Sequence, residues 1–188
     1  MQDPIPQIPL KRIAAITTVR NDTVFLEKWV QYYGKQFGVK NLYVFIDGHD
    51  QPKPGWLSEV NTIVLPHVPL KCAKADSRRA RIMSHLARGL FQIFDAVIVT
   101  DVDEFLIVDP DVDLTLLEYL SKSKARVSLS GLGLDVGQHL ELESPLDLNR
   151  PFLDQRKYAH VSSRYTKPCV AFRPVTWGSG MHRLRGRN

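Results

Sequence analysis

The sequence predicts an α/β protein, a mostly parallel sheet flanked by helices in a single domain. Branched and aromatic runs alternate with stretches of three- and four-residue apolar spacing through the first hundred residues. No internal repeat or linker interrupts that alternation. Polar residues follow the branched runs, where an open parallel sheet presents its ligand-binding groups.

Lys11 to Val19 reads as a buried first strand, and Arg20-Asn21-Asp22 ends it with a cap for the next helix. From Val24 to Phe37, Phe25, Leu26, Trp29, Val30, Tyr33 and Phe37 form one apolar helical face, and Gly38 stops it. Asn41 to Asp47 is a second strand with Asp47-Gly48-His49-Asp50 as its turn; a loop over 51–55 leads to a third strand, Asn61 to Leu65. Asp76 to Phe94 is a long helix whose inward face is expected to run through Ala80, Met83, Leu86, Ala87, Leu90, Phe91 and Phe94, and Ala96 to Thr100 is a fourth strand. A short helix is expected over Leu114–Leu120 and a strand over Ala125–Leu129. A flexible run follows from Gly131 to Gly137, with a late strand over Cys169–Arg173 and a glycine-loosened loop from Trp177 to His182. Residues 1–10, with three prolines, read as an extended arm, and residues 11–188 as the domain.

Composition narrows the class. The chain has 188 residues, 44% of them hydrophobic and 24% charged, as in an ordinary soluble globular protein with a core of its own. No apolar run reaches the ~18 residues that span a bilayer, and the start lacks the basic and apolar regions of a secretion signal. Cys72 and Cys169 are too few for a zinc site and too far apart to suggest a disulfide, so reduced thiols and a cytoplasmic location are expected. The net charge of +5 includes a cluster at Lys71, Lys74, Arg78, Arg79 and Arg81 and a basic tail at Arg183, Arg185 and Arg187. It suits an anionic partner: a phosphorylated small molecule, nucleic acid or an acidic membrane surface.

The chemistry concentrates after the fourth strand, in Thr100-Asp101-Val102-Asp103-Glu104-Phe105. On an extended backbone Asp101 and Asp103 would share a face, about 7 Å apart, with Val102 turned to the core. Such carboxylates repel unless a positive group lies between them, and Mg²⁺ or Mn²⁺ accepts one or two carboxylates plus substrate phosphates. The plain alternative is a solvated acidic turn. Thr18, Arg20, Asn21 and Asp22 after the first strand, and Asp47 and Asp50 after the second, would converge on the same rim, which favours the metal reading.

Val19-Arg20-Asn21-Asp22, Phe25-Leu26-Glu27-Lys28-Trp29, Tyr32-Tyr33, Gly38 to Val44, Asp47-Gly48 and the Asp-Val-Asp-Glu-Phe segment come in order between Ile13 and Val108. Together they resemble the glycosyltransferase family 2-like enzymes of the Rossmann-related GT-A fold, in their bacterial branch. The resemblance resumes at Lys167-Pro168 and Gly180-Met181-His182. It implies sugar transfer from a nucleotide-diphosphate donor, a UDP-sugar favoured, to a glycan, lipid or protein acceptor, with Mn²⁺ or Mg²⁺ and with peripheral membrane association rather than nucleic acid as the setting. Thr18, Arg20 and Asn21 would line the base and ribose, and Asp47 would hydrogen-bond one of them. Asp103 would be the main metal ligand, Asp101 would reach ribose or a metal-bound water, and His182 would complete the metal set. The chain departs from the family at Asp47-Gly48-His49-Asp50. It also stops six residues after His182, so it reads as a fragment or a compact version.

Other candidates rest on residue chemistry. Arg78 or Arg81 would face the diphosphate, since a guanidinium fork matches phosphate oxygens; either could equally belong to a solvated helix face. Lys167 would meet a phosphate or simply start a strand. A base beside the acceptor hydroxyl calls for a carboxylate, with Asp135 first, then Glu141 and Glu143. Glu104 reads as a hydrogen-bonding support rather than a direct ligand. Trp177 would stack on a sugar or pack in the core. His49, His67, His85, His139 and His160 lack ligand spacing. Two other readings use the same carboxylates: a metal-dependent nucleotidyltransferase or nuclease, and a degenerate domain that binds nucleotide or a partner without turnover.

Overall fold

The computed structural model describes residues 9–185; eight residues of the expected N-terminal arm, and Arg187 of the basic tail, lie outside them. Ile13–Val19 (β1), Leu42–Asp47 (β2), Asn61–Leu65 (β3) and Ala96–Val99 (β4) form the parallel part of a six-stranded sheet. Pro168–Ala171 (β8) and Ser128–Ser130 (β5) complete it, in the order β3-β2-β1-β4-β8-β5. β8 alone runs against the other five, pairing antiparallel with both β4 and β5. The mostly parallel sheet expected from the strand–helix alternation is therefore present, with one reversed strand inserted between β4 and β5. Leu134–Gly137 (β6) and Tyr158–Val161 (β7) form a separate antiparallel pair within the excursion that joins β5 to β8. Glycines break the alternating pattern over 131–137, where a flexible run is expected; pairing with the distant Tyr158–Val161 orders that stretch instead.

Three helices cover the sheet: Thr23–Phe37 (α1), Cys72–Leu90 (α2) and Leu116–Lys122 (α3). Alternate strand residues serve opposite layers, as a pleated backbone requires. Ile13, Ala15, Val44, Ile46 and Ile98 pack with Leu26, Trp29 and Tyr33 of α1 and with Leu116 and Leu120 of α3. Ala14, Ile16, Phe45, Val97 and Val99 pack with Ala80, Met83, Ala87 and Leu90 of α2, and with Trp177 and Met181 beyond β8. The caps are local: the Asp22 carboxylate accepts from Phe25 N at 3.0 Å, and Thr115 and Glu118 form a reciprocal capping box on α3. α2 starts four residues before the expected Asp76 and ends four before Phe94. Its first turn, Cys72-Ala73-Lys74-Ala75, carries no large apolar side chain, so periodicity does not detect it.

Thr17 is fully buried on β1, and its hydroxyl has no hydrogen-bond partner among the described residues. A buried unpaired hydroxyl costs about 1–3 kcal/mol. Thr17→Val is accordingly expected to raise the unfolding free energy by about 1 kcal/mol, read as a higher urea midpoint at unchanged slope.

No helix among the described residues is long and apolar enough to cross a membrane. Both cysteines are free thiols, Cys72 exposed and Cys169 buried.

Candidate functional site

β4 is short and wholly buried, and it ends at Val99. Thr100 remains buried because its hydroxyl accepts from the Trp29 indole at 2.9 Å. The chain then turns: Glu104 N donates to the Asp101 carbonyl at 3.1 Å, and Asp101 N donates back to the Glu104 carboxylate at 3.2 Å. The extended backbone expected for Asp101 to Asp103 is therefore replaced by a turn, since the two ends of the acidic segment hydrogen-bond each other. Val102 still points into the core. Helix α1 holds the segment that follows. The Tyr33 hydroxyl donates to the Glu104 carbonyl at 3.3 Å and accepts from Leu106 N at 2.8 Å, while the Tyr32 hydroxyl donates to the Leu106 carbonyl at 2.8 Å. Burial pushes the Tyr32 phenol up to about 12 and Tyr33 higher still, so both stay protonated donors.

The charges of the turn are divided unequally. Lys167, only 4% exposed at the start of β8, reaches Glu104 Oε1 at 2.7 Å and Asp101 Oδ2 at 3.3 Å. Arg79 on α2 reaches the other oxygen of Asp101 at 3.3 Å and also pairs with Asp76 at 3.2 Å. Burial alone would lower the Lys167 ammonium, but Asp101 and Glu104 outweigh it and the net shift is upward. Asp103 makes no hydrogen bond or ion pair through its carboxylate among the described residues, and it is exposed. Partial desolvation, then the charges of Asp101 and Asp22, push its carboxyl upward despite the opposing pulls of its own backbone N–H and of Lys167. Asp103 is the acid of the turn that still lacks a counter-ion.

Further along the rim the side chains are occupied with one another. Arg20 grips the turn after β2, donating to the Asp47 carbonyl and bidentately to Asp50 at 3.1 and 2.9 Å. Gly48, at φ +120°, lies where a Cβ would run into the Arg20 and Asp50 side chains, so both the backbone and the clamp favour glycine there. The Asp47 carboxylate lies 3.1 Å from His67 Nδ1, and Asn21, in a left-handed conformation, donates its N–H to the Gln51 side chain at 2.6 Å. Thr18 is half-buried near the end of β1. The Arg20 hydrogen bond holds the Asp50 carboxyl down at about 2. Any stability this pair contributes is present above the ordinary carboxylate value, near 3.9, and is lost as pH falls towards 2. The Asp50 carboxyl carbon is expected to titrate near that value by NMR, and Arg20→Gln to return it to the ordinary range.

Several expected participants lie apart from the turn. At about 100° per residue, Arg78 and Arg81 lie about 100° and 160° around α2 from Arg79, on its outward side. Arg79 is the arginine at Asp101; the sequence cluster contained it, but helical phase could not be set until both neighbours of α2 were known. Lys167 faces two carboxylates rather than a phosphate, because it is buried beneath them. His182 Nδ1 lies 2.8 Å from the Arg164 carbonyl. Among the described residues no three His, Cys, Asp or Glu side chains converge as a metal-binding group, so the expected set of Asp101, Asp103 and His182 is not gathered. Trp177 is a core residue, donating its indole N–H to the Pro168 carbonyl at 2.7 Å. Asp135 on β6, opposite His160, and Glu141 in the following loop are exposed. Glu143 is engaged by the N–H groups of His139 and Lys157 at 2.8 and 2.7 Å, which lower its carboxyl.

The residues present fit a divalent cation only in one way. Asp103 can give it a carboxylate, while Asp101 and Glu104 are neutralised by Lys167 and Arg79; the remaining ligands would have to come from phosphate oxygens and water, as Mg²⁺ sites commonly arrange. Two shallow, open hollows, beside Asp109 to Glu118 and beside Leu142 to Tyr158, do not include the acidic turn.

Compared with models of protein families and with curated proteins, the chain matches none.

Proposed function

We propose that this chain is a GT-A-like glycosyltransferase that moves a sugar from a nucleotide-diphosphate donor, a UDP-sugar favoured, to a glycan, lipid or protein acceptor. One observation carries the reading. Asp103, an exposed carboxylate without a counter-ion, follows β4 at the point where the strand order reverses between β1 and β4. Open α/β sheets bind their ligands in the crevice at that point. The ordered resemblance of residues 13–108 to family 2-like enzymes supports the same reading.

Mn²⁺ or Mg²⁺, held by Asp103 together with the donor's diphosphate, would neutralise the charge that develops on the leaving nucleoside diphosphate. The chain's own groups prepare for that charge. Lys167 pairs with both Asp101 and Glu104 and so holds their side chains in place within the turn. Arg79, still 42% exposed at its side chain, keeps guanidinium surface towards solvent beside Asp101 and can share the diphosphate. Asp135, exposed and without a hydrogen bond through its carboxylate among the described residues, is the first candidate to accept the acceptor hydroxyl's proton, and Glu141 is the second. Two-cation polynucleotide chemistry is less well served: it needs several free carboxylates, and this turn leaves one.

Thermal unfolding with Mn²⁺ and UDP, GDP or a polynucleotide tests the proposal. A rise in Tm with UDP that requires the metal, together with hydrolysis or transfer of a UDP-sugar, is the expected result. Stabilisation by UDP without turnover would indicate a binding domain, and stabilisation by the polynucleotide alone would overturn the proposal.

A further inference from the structure

The basic cluster of α2 is not used up by the site. Lys71, Lys74, Arg78, Arg81, His85 and Arg88 recur at alternating intervals of three and four residues, which gathers them within about 100° of one helix face. That face is opposite the buried side formed by Ala80, Met83, Ser84, Ala87 and Leu90. Lys71, Lys74, Arg81, His85 and Arg88 are exposed, and Arg78 is half-exposed. Among the described residues none of these lysines and arginines forms an ion pair, and the helix's acid, Asp76, lies on another face, paired with Arg79. The result is a straight, uncompensated cationic stripe about 25 Å long.

We propose that this face of α2 docks on an anionic lipid surface. A straight row of cations on a helix lying flat against its own domain matches a plane of phosphate headgroups. Exposed apolar side chains lie at its two ends: Val68 and Leu70 precede the helix at 42% and 40% exposure, and Ile93 follows it at 55%. They can enter the headgroup layer while the lysine and arginine heads stay at its surface. A nucleic-acid strand is matched less well. Residues 71–88 contain no phenylalanine, tyrosine or tryptophan side chain to serve as a stacking platform for bases. The inference does not depend on the sugar-transfer reading, because the stripe and the acidic turn occupy different faces.

The test is co-sedimentation with phosphatidylcholine vesicles, with and without phosphatidylglycerol, using the full chain. The stripe variant Lys74→Gln/Arg78→Gln/Arg81→Gln is compared with Lys122→Gln/Lys124→Gln/Arg126→Gln, which loses the same charge from exposed positions at and after α3. Circular dichroism checks that both remain folded. Binding only to the phosphatidylglycerol vesicles is expected, weakened about a hundredfold in the stripe variant, at about fivefold per charge, and within a few-fold of the parent in the control. Equal losses in the two variants would reduce the effect to net charge and overturn the proposal. So would indifference to phosphatidylglycerol, or capture of a DNA duplex in place of vesicles.

Discussion

Asp103→Asn is expected to abolish sugar transfer, lowering kcat/KM by at least about a thousandfold, the scale on which single electrostatic groups act on developing charge. The fold should not suffer. Asp103 makes no ion pair through its carboxylate among the described residues, and its carboxyl is pushed upward by desolvation and by Asp101 and Asp22. Its ionisation therefore works against the folded state at neutral pH, and the amide removes that penalty. Tm at pH 7 should equal or exceed the parent's, with the difference vanishing below the ordinary carboxylate value, near 3.9. Isothermal titration of Mn²⁺ in the presence of UDP reads the same substitution directly and should show the metal-dependent heat lost. A variant that keeps parental turnover removes Asp103 from the metal site, and with it the observation on which the functional proposal rests.

Lys167→Met should have the largest effect on stability, about 3 kcal/mol by chemical denaturation. It removes the buried cation, leaving the mostly shielded Glu104 without its counter-ion beside an Asp101 held by Arg79 alone. Lys167→Arg should lose less, since it keeps the charge in a larger and differently shaped group. The pH dependence has a definite sign. The Lys167 ammonium is raised above its unfolded value, so its contribution is complete below about 10.4 and is lost as pH rises through the folded value. The parent should therefore lose stability in that alkaline window, and Lys167→Met should lose less of what remains there. Equal alkaline slopes for the two proteins would show that Lys167 is not the counter-ion of the turn.

The two substitutions separate roles that the sequence had merged. Asp101 and Asp103 look equivalent as an Asp-x-Asp pair, yet one is bound to Lys167 and Arg79 and the other is uncommitted. The difference arises from partners 66 and 22 residues away from Asp101 along the chain. No local pattern encodes such distances.

What the sequence determined by itself is whatever depends on near neighbours. Apolar spacing over Phe25 to Phe37 and branched runs at 13–19, 42–47 and 96–99 specify helix and strand, and their alternation specifies a mostly parallel sheet with its polar rim after the strand ends. The location of the acidic segment at that rim follows from those same elements. Tertiary structure alone decided the rest. It reversed β8 and set it between β4 and β5, which brought a buried lysine beneath the acids. It folded Asp101 to Glu104 into a turn, chose Arg79 over Arg78 and Arg81 by the phase of α2, and paired β6 with β7 across a long excursion. Each of these outcomes balances charge, burial or pairing between segments far apart in the chain, and that balance exists only once the layers have packed.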